Sequence, residues 1–314
     1  FDKDMHKTLG MHVKGRKYDV FDIEECYLFE DWSMSVVAKV RELTKKITHY
    51  HYSQGTGVLR DLTLRSSKRT NEKMIIISIS ENGSTDMIKN IVQKVAKEFD
   101  FDSSWVEKVE VKKGRQTERT LHHVSGNQYI NEIMKIDNIE LKFRVGPTSF
   151  FQPNLIQAEK IYKTVLEFAG SAEVAYDLFC GTGTIGLTLA TKAKEVYGID
   201  INEESIKMAN QNKELNSIQN AQFEAKNIFK KDFNWPEPSL VVFDPPRSGL
   251  NSKLINKIAE LNPPKIIYVS CNIKTFLRDV QEFTKLGYEF KRIQPIDQFP
   301  HTTHLEVVGE LVSN

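Results

Sequence analysis

The stretch YDLFCGTGTIGLTLA, Tyr176 to Ala190, decides the fold. It runs from apolar, strand-like residues into glycines at 181, 183 and 186 and then into a helix-forming segment. Glycine is required where a chain turns sharply from strand to helix and lets its backbone approach a ligand closely. Asp200 closes the next strand-like run, EVYGIDI. It follows the loop by about 20 residues, where a carboxylate can accept from both ribose hydroxyls of an adenosine-bearing ligand. Gly181, Gly183 and Asp200 are therefore candidate cofactor contacts, and the spacing suits a nicotinamide dinucleotide and S-adenosylmethionine alike. The plainer reading of Asp200 is a cap on the helix starting near Glu203.

Outward from this loop, VAYDLF, EVYGIDI, LVVFD and KIIYVSC read as strands separated by the helical segments TIGLTLATKA, ESIKMANQNKELN and KLINKIAEL. Such alternation implies an α/β domain with a parallel sheet covered on both faces. Two further strands, YEFKRIQPI and LEVVGELV, end the chain. Upstream, IIISIS reads as a strand, while TDMIKNIVQKVAKEF and MSVVAKVRELTKKI carry apolar residues at helical spacing. The expected organisation is an α+β region over 1–146 and an α/β domain over 147–314, divided in the turn-rich RVGPTSF.

With 40% hydrophobic residues in 314, the chain can bury two cores. A mean hydropathy of -0.41 and the absence of any apolar run of roughly 18 residues argue against a membrane anchor. Cys26, Cys180 and Cys271 are too few and too scattered for a disulfide framework, so a reducing, cytoplasmic setting is expected and each thiol needs its own account. The net charge of +1 leaves nucleic acid open, since phosphate binding depends on a local patch. The chain opens at Phe1 without an initiator Met and is expected to be part of a longer one.

In VVFDPPRSGL a strand ends on Asp244 followed by two prolines. Proline fixes φ and cannot extend the ladder, so Asp244 and its neighbouring carbonyls are held at the sheet's carboxyl edge. That edge suits a flat base beside a methyl donor better than a nicotinamide. Methylating carbon 5 of a pyrimidine requires a thiolate to add at carbon 6 and a separate base to remove the carbon 5 proton. Cys271, just past the strand KIIYVS, supplies the thiol, and Glu306, opening the last strand, is the candidate base. A lone free cysteine is more commonly a small buried hydrophobe, which is the reading adopted for Cys180.

The segments SFFQPN, DLFCGTGTIGL, DPPRSGL, VSCN and FPHTTHLE stand in the order and spacing of a known family. From 147 to 314 the chain resembles the RNA uracil-5-methyltransferases, whose members use S-adenosylmethionine. The resemblance implies a class I (Rossmann-like) methyltransferase with a seven-stranded sheet whose last strand is antiparallel, preceded by an α+β RNA-binding domain. It implies that Gln152, Phe179, Thr184, Asn227 and Asp244 line the cofactor pocket with Asp200 on the ribose, that Cys271 is the nucleophile, and that Glu306 is the proton acceptor.

KTLGMHVKGRKYDVFDIEECYLF resembles the ribosomal branch, which makes large-subunit ribosomal RNA (23S rRNA) the favoured substrate and transfer RNA (tRNA) the second. In many members of that branch four cysteines hold an iron–sulfur cluster, and Cys26 matches the fourth. The residues present cannot assemble it, so a cluster is expected only in a longer chain and no metal is assigned here.

RNA contacts are expected from Lys14, Arg16, Lys17, Arg60, Arg65, Lys68, Arg69, Lys112, Lys113 and Arg115, and stacking on a flipped uracil from Phe150, Phe151 or Phe299. Ordinary solvated surface and apolar core are the respective alternatives. An RNA cytosine-5-methyltransferase would carry a cysteine after Pro246, where this chain has Arg247. A base-amino methyltransferase would carry an aromatic there and would need neither Cys271 nor Glu306. A non-catalytic RNA-binding factor on the same fold is the rival from another class.

Overall fold

The computed structural model describes residues 8–13, 15–16, 18–52, 54–111, 117–228 and 235–314. The chain divides into two compact units, Phe1–Ile130 and Asn131–Asn314.

In the first unit a short antiparallel pair, β1 (Gly10–His12) and β2 (Val20–Asp22), precedes helix α1 (Trp32–Leu43). Strands β3 (Leu59–Ser66) and β4 (Lys73–Ser80) run antiparallel. Helix α2 (Thr85–Glu98) then crosses to β5 (Ser103–Glu110), parallel to β4, and β6 (Glu118–Gly126) completes the order β3-β4-β5-β6. The Ser84 hydroxyl starts α2 by accepting from the Met87 N–H at 3.3 Å, which satisfies an orphan donor of the first turn. Ile75, Ile77 and Ile79 alternate along β4 and bury with Val106 against Val36, Val40, Ile88 and Val92. The intervening Ser78 instead donates to Glu107 at 2.7 Å, and Arg119 pairs with the same carboxylate at 2.8 Å, so the opposite face carries a polar network.

The second unit comprises β7 (Ile130–Ile136), which opens on the last residue of the first unit, β8 (Ile139–Val145), α3 (Leu155–Ala169), β9 (Ala172–Leu178), α4 (Thr184–Leu189), β10 (Ala193–Asp200) and α5 (Glu203–Leu215). It continues through β11 (Ala221–Ala225), β12 (Leu240–Phe243), α6 (Ser252–Glu260), β13 (Lys265–Ser270), α7 (Ile273–Lys285), β14 (Tyr288–Ile296) and β15 (Glu306–Ser313). The large sheet has the order β11-β10-β9-β12-β13-β15-β14. Strands β11 to β13 in this order are parallel, and β15 is antiparallel to both its neighbours. This is the expected seven-stranded class I methyltransferase sheet.

Successive residues of the central strands feed opposite cores. Tyr176, Phe243 and Tyr268 pack with Leu254, Phe276 and Phe283 from α6 and α7. Ala175, Val242 and Ile267 pack with Ile161 and Val165 from α3. Both faces are therefore covered, as continuous apolar strands of a parallel sheet require.

The structure differs from the sequence reading at three places. The expected boundary at 146/147 lies beyond the β7–β8 hairpin, whose Met134, Ile136, Leu141 and Phe143 bury in the same core as α3, so the hairpin belongs to the second unit. The helix read through Ala193 stops at Leu189, because β10 already begins at Ala193. Helices α3 and α7 were not singled out from the sequence, although both bury apolar faces.

Candidate active site

The order of the sheet reverses between β9 and β12, and in such sheets ligands bind outside the carboxyl ends of the strands at that point. The glycine loop connects β9 to α4 there, with positive φ at Phe179 (65°), Gly181 (53°) and Gly183 (82°). A Cβ on Gly181 would meet nothing within 4 Å, so the loop borders open space, whereas at Gly183 it would press on Ala209 and Phe223 at 3.1 Å.

Asp200 ends β10 and braces this loop. Its Oδ2 accepts from the Gly181 N–H at 3.0 Å and its Oδ1 from the Asn202 N–H at 2.8 Å. The cap of α5 is Asn202, which accepts from Glu204 and Ser205, so the helix-cap reading of Asp200 does not hold. Half-buried Asn227 and Asp244 follow the ends of β11 and β12. Thr184 opens α4 and accepts from the Tyr162 hydroxyl at 3.4 Å. Buried Gln152 accepts from Gln298 Nε2 at 3.1 Å. Carboxylates at the ends of β10 and β12, on either side of β9, together with open space above Gly181 and a buried carboxamide, make a donor and acceptor set that could hold an adenosine-bearing amino acid. Cys180 packs into the core below.

Cys271 lies between the end of β13 and the first residue of α7. The Ser270 hydroxyl accepts from the Asn272 N–H and donates to the Asn272 carbonyl, both at 3.2 Å. Asn272 caps α7 by accepting from the Lys274 N–H. Its amide also donates to the carbonyl of Arg247 at 3.0 Å, which joins this turn to the Asp-Pro-Pro-Arg loop. In the β13–β15 ladder Ser270 stands opposite Val307, so Cys271 and Glu306, each one residue beyond that pair, come to the same end of neighbouring strands.

The electrostatics follow from burial. Desolvation lifts Glu306 from 4.5 to about 7, opposed by the Arg247 guanidinium. Burial pushes the Cys271 thiol up, the charges of Glu306 and Asp244 push it further, and Arg247 pulls it down. Asp244 is raised by desolvation and then by Glu306 and Asp177. Asp177, wholly buried beneath the loop on β9, is raised to about 8 by burial. The site thus holds several carboxyls in low dielectric, where such groups keep their protons to higher pH.

Sequence reasoning did not reach four residues of this site. Tyr162 sits under the loop and feels Asp244, Asp177 and Glu306. Arg247 served only to dismiss a rival, yet it faces Cys271 and Glu306 electrostatically and lies 3.3 Å from His304 Nδ1. The position of Arg247 directly after Pro246 was the available signal. His304 and Gln298 lie in the segment between β14 and β15, where no periodicity marks them.

Of the expected stacking aromatics, Phe150 is 66% exposed. Phe151 instead packs on Phe143 at 5.5 Å, and Phe299 meets the His304 ring edge-on at 6.4 Å. Among the expected RNA contacts, Arg16 pairs with Asp19 and Lys68 is exposed. Arg60 lies 4.0 Å over the Tyr50 ring and 5.1 Å over that of Tyr52, with Nε and Nη1 buried, so its guanidinium is held internally. Burial lowers Arg65, and Arg69 is half-buried. Lys14, Lys17, Lys112, Lys113 and Arg115 lie outside the described residues. Cys26 is a free, half-buried thiol. Among the described residues no group of three or more His, Cys, Asp or Glu is placed to hold a metal ion, and no helix is long and apolar enough to cross a membrane.

The model of the tRNA (Uracil-5-)-methyltransferase family matches residues 106–313. The chain belongs to the RNA uracil-5-methyltransferase family. An uncharacterized RNA methyltransferase of Caldanaerobacter subterraneus is 36% identical over 329 aligned positions, covering 99% of this chain and 70% of the relative. One of Chlamydia trachomatis is 33% identical, covering 96% of this chain and 80% of the relative. The crystal structure of Pyrococcus abyssi tRNA (uracil-54, C5)-methyltransferase in complex with S-adenosyl-L-homocysteine matches with a TM-score of 0.77 and 31% identity, over 96% of this chain and 73% of that one. As a member of this uracil-5-methyltransferase family the chain is an S-adenosylmethionine-dependent RNA methyltransferase.

Proposed function

We propose that this enzyme methylates carbon 5 of a uridine through a covalent bond between Cys271 and carbon 6. The observation that carries the reading is the β13–β15 register, which brings a thiol and a carboxyl raised to about 7 to one end of adjacent strands. S-adenosylmethionine supplies an electrophilic methyl group when bound. The Cys271 thiolate adds to carbon 6, and the electron pair of the carbon 5–carbon 6 double bond moves toward the ring carbonyl as an enolate. Carbon 5 is then nucleophilic and would take the methyl group as the methyl–sulfur bond breaks, leaving S-adenosylhomocysteine. Glu306 removes the carbon 5 proton, the double bond re-forms, and the carbon 6–sulfur bond breaks to release the thiolate. A base with a pKa near the working pH suits that step.

In this reading Asp200 holds the ribose, and Gln152, Phe179, Gly181, Gly183, Thr184, Asn227 and Asp244 line the cofactor pocket. Phe150, the exposed aromatic beside the glycine loop, is the stacking platform for the flipped base. The favoured substrate is 23S rRNA, on the resemblance carried by the amino-terminal stretch. The match to the Pyrococcus abyssi tRNA enzyme supports tRNA as the second reading.

The test is incubation of ribosomal or transfer RNA carrying 5-fluorouridine with the enzyme and S-adenosylmethionine, followed by a denaturing gel and peptide mapping. Fluorine cannot leave as a proton, so the expected product is a protein–RNA adduct at Cys271, absent in Cys271→Ala. Methyl transfer by Cys271→Ala at the wild-type rate would overturn the mechanism. The RNA that forms the adduct identifies the substrate.

A further inference from the structure

Gln298 lies in the segment between β14 and β15 and is completely buried. Its Nε2 donates to Gln152 Oε1 at 3.1 Å and lies 3.5 Å from the main-chain carbonyl of Asn154. A main-chain carbonyl is only an acceptor, so the Gln298 atom facing it must be the nitrogen. It follows that the Gln152 atom on the other side of that nitrogen is the oxygen. Asn154 is fixed in the same way: its Oδ1 accepts from the Gln157 N–H at the start of α3, and its Nδ2 donates to the Gln298 carbonyl at 3.0 Å. The carboxamide of Gln152 therefore keeps its oxygen turned toward Gln298 and directs its two N–H donors away from it, with no partner for them among the described residues.

Gln298 Oε1 is buried and accepts nothing among the described residues. A buried unsatisfied acceptor costs stability that an apolar side chain of the same shape would not. Stability therefore does not explain an amide here, whereas the N–H it gives to Gln152 does.

We propose that Gln298 is a positioning residue that orients the Gln152 carboxamide so that it offers only N–H donors, selecting the amino-acid carboxylate of the methyl donor. The inference rests on the reading of Gln152 as a cofactor contact. It adds the group recognised and the residue that enforces the recognition. A carboxylate accepts from such donors more strongly than a neutral group does.

Isothermal titration with S-adenosylhomocysteine, which has the carboxylate, and with 5′-methylthioadenosine, which lacks it, tests this on the full chain. In Gln298→Glu an acceptor replaces the donor and Gln152 turns its own oxygen toward the ligand. The expected result is about a tenfold or greater loss of S-adenosylhomocysteine affinity, with 5′-methylthioadenosine affinity kept within about twofold. Gln298→Met removes the constraint without adding charge and remains informative where Gln298→Glu does not fold. A loss of about threefold or more, for S-adenosylhomocysteine alone, is expected. Equal losses for both ligands, or none for either, would overturn the proposal. Gln152→Ala separates the two levels: if it binds S-adenosylhomocysteine like the wild type, the reading of Gln152 itself falls. If it binds weakly while both Gln298 variants bind normally, only the positioning role falls.

Discussion

The side-chain amide of Asn272 donates to the main-chain carbonyl of Arg247 at 3.0 Å while its oxygen caps α7. One residue thus starts the helix behind Cys271 and ties the cysteine turn to the loop that carries Asp244. Asn272→Asp keeps the cap oxygen and replaces the donor by a second acceptor facing a carbonyl. We expect that variant to retain most of its thermal stability, yet to lose kcat by about tenfold or more, a barrier increase of roughly 1.4 kcal/mol. Asn272→Ala should lose the cap as well, about 1 kcal/mol by denaturant titration.

In the proposed mechanism Glu306 sets function against stability. Its carboxyl is raised from 4.5 to about 7 in the folded chain, so the folded state binds the proton more tightly than the unfolded one. The sign is that stability is fullest below pH 4.5 and falls as pH rises toward 7, by up to about 3 kcal/mol once the group is ionised. Glu306→Gln, which cannot ionise, should melt several degrees higher than the wild type at pH 8 and show little difference at pH 5. The same variant should accumulate the Cys271–RNA adduct with ordinary uridine. Normal turnover by it would remove Glu306 from the base role.

Activity should climb with pH. In the proposed mechanism Glu306 must be ionised to accept the proton, which happens through pH about 7, and burial with the charges of Glu306 and Asp244 delays the Cys271 thiolate to a higher pH than an ordinary thiol needs. Single-turnover rates measured from pH 6 to 9.5 should therefore rise throughout, with no falling limb from these two groups. Arg247→Ala removes the charge that holds both values down. Its profile should shift to higher pH. An unshifted profile would mean that Arg247 does not act on either group.

The Asp-Pro-Pro-Arg loop is held from behind by Asp279, which is fully buried and accepts from the Leu250 N–H and the Tyr268 hydroxyl, both at 2.7 Å, and from Arg278. Asp279→Ala strands these donors and should cost about 3 kcal/mol or more in urea titration. Gly249, at φ 71°, leaves no room for a side chain, since a Cβ would lie 2.5 Å from Asp279 Oδ2. Gly249→Ala should destabilise by about 1–3 kcal/mol.

The sequence alone determined the alternation of strands and helices in the second unit and the glycine loop, and it singled out Cys271, Glu306 and Asp200 as candidate site residues. Each rests on a local pattern: apolar periodicity, glycine where the chain turns, a polar or thiol residue at the end of a strand. The sequence did not determine that the β7–β8 hairpin joins the second core, since burial is legible in Met134 and Phe143 but the partner is not. Nor did it reach Gln298, whose hydrogen bond to Gln152 joins residues 146 positions apart in the chain. Tertiary structure alone set the register of β15 between β13 and β14, which brings Glu306 alongside Cys271. Ladder hydrogen bonds join backbone groups that every residue carries, so a strand's own sequence states which face it buries but not which strand lies beside it.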